Sequence, residues 1–315
     1  MDGLGAQTQR ILGIYGVSKA LGLNYWHSGI DYLEPNPGDP FRTASEQRQF
    51  LGEVNRLIAL PSAAAKPKIR TSTVGALSWR QARKLMFLHK VARKVGLSLL
   101  VPVLHPYPWC NRHPESYRAA VDDLARKPQK EVSSEQRRID VHIRRALAPS
   151  DPSLSLSSRH VPIGWFEKVV FALQSEFQER GQEVLVRVHT DEAVNPWSVP
   201  IEELSPGTKD VLLRDNMIDQ HGQLRSPSRK LEDEIAHWPN TEICRDLDTL
   251  RVWESMVDCD VLVSSASSMS FVAGLFRGPR PVVSPSFWHS GPPEWLSLDR
   301  EPQVWRAETV NTWLA

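Results

Sequence analysis

The sequence predicts an α/β protein built on parallel sheets and divided into two halves. Three observations carry this. Short apolar runs alternate with helical patterns over most of the chain, and strands that alternate with helices form a parallel sheet covered by helices. The 315 residues exceed what one hydrophobic core of common size organises. A polar stretch, Lys127 to Gln136, separates the two alternating regions. The expected domains are 1–130 and 131–315, meeting near residues 127–137.

In the first half, a helical stretch runs to about Leu21, with Gly22 as its C-cap. Leu23 to Trp26 has the pattern of a short strand. Pro35 to Pro40 is a loop by composition, and a helix spans roughly Ala44 to Leu60. Pro61 to Pro67 is a small-residue linker. Trp79 to Val95 is a basic amphipathic helix, for which a solvated face is the favoured reading over a partner site. Leu97 to Leu104 is a continuous apolar run, expected as a buried parallel strand that Pro106-Tyr107-Pro108-Trp109 breaks. A charged helix follows, from about Pro114 to Arg126.

After residue 136 the pattern alternates cleanly. Ile139 to Ile143 is a strand leading into a loop rich in serine and proline, Ala146 to Ser158. Pro162 opens a helix with Phe166, Val170, Leu173 and Phe177 on one face, and Gly181 closes it. Val184 to Val188 is a strand ending at His189-Thr190-Asp191-Glu192. A polar segment runs from about Asn195 to Asn240. Thr241 to Arg245 is a short strand, and Asp248 caps a helix carrying Leu250, Trp253 and Val257. Asp260 to Val263 is a strand, Met269 to Phe276 a helix, and Pro281 to Val283 a further strand.

Composition narrows the function. The 38 basic residues nearly cancel the 37 acidic ones, which argues against a general nucleic-acid or membrane-surface protein. The 3 cysteines, Cys110, Cys244 and Cys259, are too few and too scattered for a disulfide framework or a zinc site. They fit a reducing compartment, so a cytoplasmic location is expected. No apolar run approaches the ~20 residues of a transmembrane helix, and no secretory signal precedes the first glycines. Tryptophans 26, 109, 197, 288 and 295 fall near expected pocket loops, although core packing is the commoner use of tryptophan.

Four motifs carry chemistry. Val141-His142-Ile143-Arg144-Arg145 ends a buried strand with two arginines, which are costly in a core. Each guanidinium is a planar fork of donors suited to a diphosphate. His142 shares a strand face with Arg144. The alternative is a strand end with two solvated arginines. Gly3-Leu4-Gly5-Ala6-Gln7 precedes a helix, and glycines there let the backbone and the helix N-terminus approach a phosphate. A flexible N-terminus is the competing reading. Thr190-Asp191-Glu192 puts acceptors at the carboxyl edge of the sheet, for a base or a sugar hydroxyl or simply as a helix cap. Ser264-Ser265-Ala266-Ser267-Ser268-Met269-Ser270 joins strand to helix as a hydroxyl-rich anion cradle. A serine N-cap would need only one of those hydroxyls.

Together these motifs resemble the fucosyltransferase-like superfamily of nucleotide-sugar glycosyltransferases. Where members carry G-G-L-G-N-Q, this chain has D-G-L-G-A-Q at Asp2 to Gln7. Where they carry V-H-I-R-R-G-D, it has V-H-I-R-R-A-L at Val141 to Leu147. A strand ending in S-D-D or T-D-D corresponds to Thr190-Asp191-Glu192. The late N-S-T-F-S-W-W-A motif corresponds to Ala266 through Ala273, and L-G-x-x-Y-x-H to Leu21 through His27. The resemblance spans nearly the whole chain, with V-H-I-R-R its most specific part.

The resemblance implies a GT-B fold: two Rossmann-like domains with parallel sheets facing a cleft, acceptor side first and nucleotide-sugar side second. It implies inverting, metal-independent transfer of a sugar, fucose from GDP-fucose in the first instance, to a glycan hydroxyl. No cofactor and no metal ligands are then expected. His142 would help hold the base, Arg144 would grip the β-phosphate, and Arg145 would support it. Gly3, Gly5 and Gln7 would approach the diphosphate from the other domain. Ser267, Ser268 and Ser270 would sit at its far end, and Asp191 would accept from base or sugar.

The chain departs from the pattern at Ala146-Leu147, where a carboxylate is missing, at Asp2, and in lacking a strand before the glycines. Either the true start lies upstream or the first domain lacks its first strand. The general base is expected to be Asp151, with His27 and Asp191 as alternatives. The competing reading is a non-catalytic binder of nucleotide sugars or glycans, and an unrelated two-domain nucleotide enzyme stands third.

Overall fold

The computed structural model describes residues 4–27, 29–32, 44–63, 67, 69–124, 136–144, 161–190, 231–244, 248–287 and 289–314. The chain opens with helix α1 (Leu4–Ala20). It ends in a Schellman closure, as Gly22 takes a left-handed φ of 62° and the Leu23 amide donates to the Ser18 carbonyl at 2.8 Å. The expected strand at Leu23–Trp26 is not formed: this stretch is irregular. Tyr25 stands edge-on to Tyr15, its hydroxyl bonds His27, and the segment lies in no ladder among the described residues.

Helix α2 (Ala44–Leu57) precedes short strands β1 (Ile69–Arg70) and β2 (Val74–Ala76). Helix α3 (Trp79–Lys94) starts with a capping box, Ser78 and Gln81 exchanging side-chain and backbone bonds. Strands β3 (Leu99–Leu100) and β4 (Val103–His105) then run parallel to β1 and β2 respectively. The single strand expected at Leu97–Leu104 is thus two pieces. Pro102 lies between them, with no N–H to give to a ladder, although its carbonyl still accepts from Val74 at 2.8 Å. A short α4 (Tyr107–Cys110) and α5 (Glu115–Asp122) complete this half.

The second half holds a six-stranded, all-parallel sheet. Its strands are β5 (Arg137–Ile143), β6 (Val184–Thr190), β7 (Thr241–Cys244), β8 (Val261–Val263), β9 (Val282–Pro285) and β10 (Leu296–Leu298). The order is β10-β9-β8-β5-β6-β7. Counted within the sheet this is 6-5-4-1-2-3, the order of doubly wound nucleotide-binding folds. The α/β class with a parallel sheet expected from the alternation is therefore observed. The strand pairs of the first half are separate from this sheet.

Between the strands run α6 (Ile163–Glu179), α7 (Leu231–Ile235), α8 (Thr249–Asp258), α9 (Ser268–Phe276) and, at the end, α10 (Ala307–Leu314). One sheet face is apolar through its centre. Ile139, Val141, Ile143, Val186, Val188, Val261 and Val263 pack there with Trp165, Phe166, Val169 and Leu173 of α6. Each fully buried side chain of this size contributes roughly 1.5–3 kcal/mol. On the other face, Leu262 and Val282 pack on α8 and α9, and this core continues into α1 and α5 through Leu12, Tyr15 and Tyr117. Tyr117 meets Phe271 edge-on at 5.4 Å. Buried Arg277 caps the carboxyl end of α8, donating to the carbonyls of Met256 at 2.7 Å and Asp260 at 2.8 Å.

Candidate active site

In this strand order, β5 and β8 are adjacent while the chain leaves them in opposite directions along the sheet. Ligands of open α/β sheets gather outside the carboxyl ends of strands at such a switch point. The residues at these two ends are His142, Ile143 and Arg144 on one side, and Ser264 and Ser265 on the other. Period two directs His142 away from the apolar α6 face. Its Nδ1 lies 2.7 Å from Ser265 Oγ, bridging the switch point. Only 8% of His142 is exposed. Burial, reinforced by the nearby charges of His189 and Arg144, pushes its pKa down to about 3. The imidazole is therefore neutral at physiological pH. Ser265 fixes the roles of its two nitrogens: if the hydroxyl donates to Nδ1, Nε2 carries the proton.

The serine-rich turn is largely engaged in building itself. Ser267 is the N-cap of α9, accepting from the Met269 amide at 3.3 Å. Ser270 accepts from the Ser265 amide at 3.2 Å, and its hydroxyl reaches the carbonyls of Ser265 and Ser267 at 3.4 and 3.3 Å. Ser264, Ser265, Ser267 and Ser270 are all buried, whereas Ser268 is partly exposed. Beyond the simple cap, Ser265 thus holds His142 and Ser270 locks the turn.

Gly5 meets this turn from α1. A Cβ on Gly5 would lie 2.5 Å from both the amide nitrogen and the Cα of Met269, so only glycine lets α1 sit this close to the start of α9. Three predicted motifs are thereby contiguous: Gly5 on Met269, the serine turn, and His142 on Ser265. Arg144 follows β5, partly exposed. Gln7 points elsewhere, donating from Nε2 to the Tyr32 carbonyl at 3.0 Å. His27 is half-buried and bonded through Nδ1 to the Tyr25 hydroxyl at 2.8 Å, and burial lowers its pKa. Gly3, Arg145, Asp151 and Asp191 lie outside the described residues. Of the described tryptophans near expected pocket loops, Trp109 and Trp295 are core residues and Trp26 is exposed.

Beside His142 lies a group that motif reasoning does not single out. Asp140, fully buried on the same strand face, accepts from Arg138 Nε at 2.9 Å, Ser255 Oγ at 2.7 Å and His189 Nε2 at 2.8 Å. His189 is paired in register with His142. His189 Nε2 donates to Asp140, and its Nδ1 is buried with no hydrogen-bond partner among the described residues. The signal was present in the alternation. Ile-Asp-Val-His-Ile on β5 and Val-Arg-Val-His on β6 each carry one apolar and one polar face. A cavity of about 530 Å³ between α6 and α10 lies on the opposite sheet face and holds none of these groups. Among the described residues no group of three or more His, Cys, Asp or Glu side chains is placed to hold a metal ion.

No protein-family model matches the sequence, and no curated protein matches it. Among solved structures, the chain is similar to the E. coli heptosyltransferase WaaC with ADP, at 11% identity and a TM-score of 0.39, over 100% of this chain and 94% of that one. The same enzyme with ADP-2-deoxy-2-fluoro heptose gives 10% identity and a TM-score of 0.38, over 100% and 96%. A glycosyl transferase of family 9 from Veillonella parvula gives 12% and 0.34, over 99% and 95%.

Proposed function

We propose that the chain is a nucleotide-sugar-dependent glycosyltransferase of GT-B type, with the donor diphosphate at the carboxyl ends of β5 and β8. The observation that carries this reading is the bond from His142 to Ser265 across the switch point. It joins the two most telling sequence motifs where an α/β sheet takes its ligand. Arg144, one residue beyond β5, is the cation that grips the leaving β-phosphate. Neutral His142, its Nδ1 occupied by Ser265, offers Nε2–H to the nucleotide. Arg145 supports the grip and Asp191 accepts from base or sugar.

The donor is GDP-fucose and the acceptor a glycan hydroxyl. The bond from the anomeric carbon to the β-phosphate oxygen breaks as the acceptor oxygen bonds to the opposite face of that carbon, inverting it. The acceptor proton passes to a general base, Asp151 before His27 or Asp191. Negative charge develops on the departing diphosphate, where fixed cationic donors in a water-poor crevice stabilise it most. No metal is required in this scheme. Ala146-Leu147, in place of a carboxylate, favours the second reading, a binder without turnover, which would show no hydrolysis of any sugar nucleotide.

The test begins with thermal shifts against GDP, UDP, TDP and their sugars. A ligand at ~100 times its Kd stabilises by roughly 2.7 kcal/mol. Kinetics of Arg144→Ala and Arg144→Lys in EDTA follow. Loss of one oriented donor to a developing anion lowers the rate by ~10²–10³, and lysine rescues poorly because an ammonium lacks the planar fork. Near-normal turnover by folded Arg144→Ala, or an absolute need for a divalent cation, overturns the reading.

A further inference from the structure

We infer that the outer face of α3 is a docking surface for an anionic lipid membrane. The helix is well formed by its own signals, a capping box at Ser78–Gln81 and Gly96 at a φ of 71° beyond its end. It packs inward through small and medium side chains: Ala82 and Ala92 are buried, and Leu85 packs partly buried against the core. The fold therefore uses one face only. The opposite face should be uniformly polar in a helix that merely meets water.

It is not. Phe87 is 67% exposed, Val95 64%, Leu88 47% and Val91 46%. Phe87, Val91 and Val95 follow one another at intervals of four, which places them on one side of the helix and its last turn. Of the large apolar residues exposed among the described residues, half lie between Trp79 and Leu97. Interleaved with them are Arg80, Arg83, Lys84, Lys90, Arg93 and Lys94, all exposed, and the helix contains no acidic residue. A depression of about 400 Å³ is lined by Arg83, Lys84, Phe87 and Leu88, two cations beside two apolar side chains. The whole chain carries a net charge of +1, so six cations on a helix without an acidic residue are a local concentration.

This pairing of chemistries selects the occupant. A soluble polyanion would engage the cations and leave Phe87, Val91 and Val95 without a use. A bilayer surface with anionic headgroups uses both: the apolar side chains enter the headgroup–acyl boundary, and the lysine and arginine stems extend so that their charges meet the phosphates. No helix of the described residues is long and apolar enough to cross a membrane, so the helix lies on the surface and does not span it. The favoured reading of this helix from sequence alone, a solvated face, rests on its charge and not on the exposure of its apolar residues.

The test is flotation of the full chain with vesicles. Wild type is compared on pure phosphatidylcholine and on an equimolar mixture of phosphatidylglycerol and phosphatidylcholine. Two variants are run beside it, Phe87→Ser/Val91→Ser and Lys84→Gln/Lys90→Gln/Lys94→Gln. All five side chains are exposed, so both variants should melt with wild type. Wild type should float with the mixed vesicles and not with the neutral ones, and added salt should release it. Each surface cation strengthens binding to an anionic leaflet by roughly fivefold, so the triple variant should bind about 10²-fold less. The apolar variant should bind on the order of tenfold less or weaker. Failure of wild type to float with anionic vesicles overturns the inference. Unchanged vesicle binding by Phe87→Ser/Val91→Ser overturns it in favour of a polyanion site, and self-association through this face in place of flotation overturns it in favour of a second copy of the chain.

Discussion

His142 gives the sharpest test of the site's electrostatics, because its protonation can be read in stability without knowing the substrate. Its pKa is about 3 in the folded protein against an ordinary 6.5, so the folded form keeps it neutral. As pH falls below 6.5, the unfolded chain takes up a proton that the folded chain refuses. The resulting stability is complete above 6.5 and is lost progressively down to about 3. Between pH 7 and pH 5 the loss at this one residue is about 2 kcal/mol. The figure barely depends on the folded pKa as long as that stays well below 5. His142→Gln removes the titration while leaving an amide able to bond Ser265. Urea unfolding at pH 7, 6 and 5, with stability taken as midpoint times slope, measures the effect. Comparison of the two proteins at each pH isolates what this replacement changes. At pH 7 the variant should be less stable by roughly 1–2 kcal/mol, the cost of an imperfect buried hydrogen bond. Toward pH 5 that gap should close, because only wild type pays the protonation penalty. Parallel pH profiles for wild type and variant would refute a buried neutral His142 and, with it, the donor role given to Nε2.

Two further outcomes follow from the surroundings of this residue. Asp140→Ala leaves Arg138, Ser255 and His189 facing an empty acceptor position, and should cost about 3–5 kcal/mol in a chemical melt; a loss below about 1 kcal/mol would mean that the network is not closed in solution. Gly5→Ala forces a methyl against the Met269 backbone, which cannot yield as a side-chain tip would. It should destabilise by about 1–3 kcal/mol, and an unchanged melting temperature would show that α1 does not seat on α9.

The second half of the fold was legible because its signals are local and agree. Ile139–Ile143, Val184–Val188 and Asp260–Val263 are strand-length segments rich in branched apolar residues, and turn or polar residues follow each. Pro162, Gly181 and Asp248 mark helix ends that the structure keeps, with Asp248 accepting from the Arg251 amide at 2.9 Å. The first half was less legible where the decisive fact is a partner. Leu23–Trp26 has strand-forming residues, yet its tyrosine is drawn to Tyr15 and His27 and not to a ladder. The pieces Ile69–Arg70 and Val74–Ala76 are too short to announce themselves, and only their parallel neighbours at Leu99–His105 make them strands.

The site shows the same division between what residue type conveys and what only proximity can. Arginine at a strand end and serine at a helix start are visible in sequence because they break the local pattern. That His142 reaches Ser265, 123 positions away, depends on β8 lying beside β5, which no motif states. The serines illustrate how abundance can mislead: Ser265, Ser267 and Ser270 are used on His142, on the helix cap and on one another. The Asp140 network was the readable feature that motif comparison passed over. A central parallel strand covered on both faces should be apolar throughout, so the polar residues alternating in Arg138-Ile139-Asp140-Val141-His142 require buried partners. Those partners, Ser255 and His189, come from the neighbouring helix α8 and the neighbouring strand β6. Such a face is costly unless every group is satisfied, and here it terminates in His142 at the crevice. The network and His142 thus share one face of β5, with His142 in register with His189 on β6, and Ser265 is the side chain that holds the His142 ring.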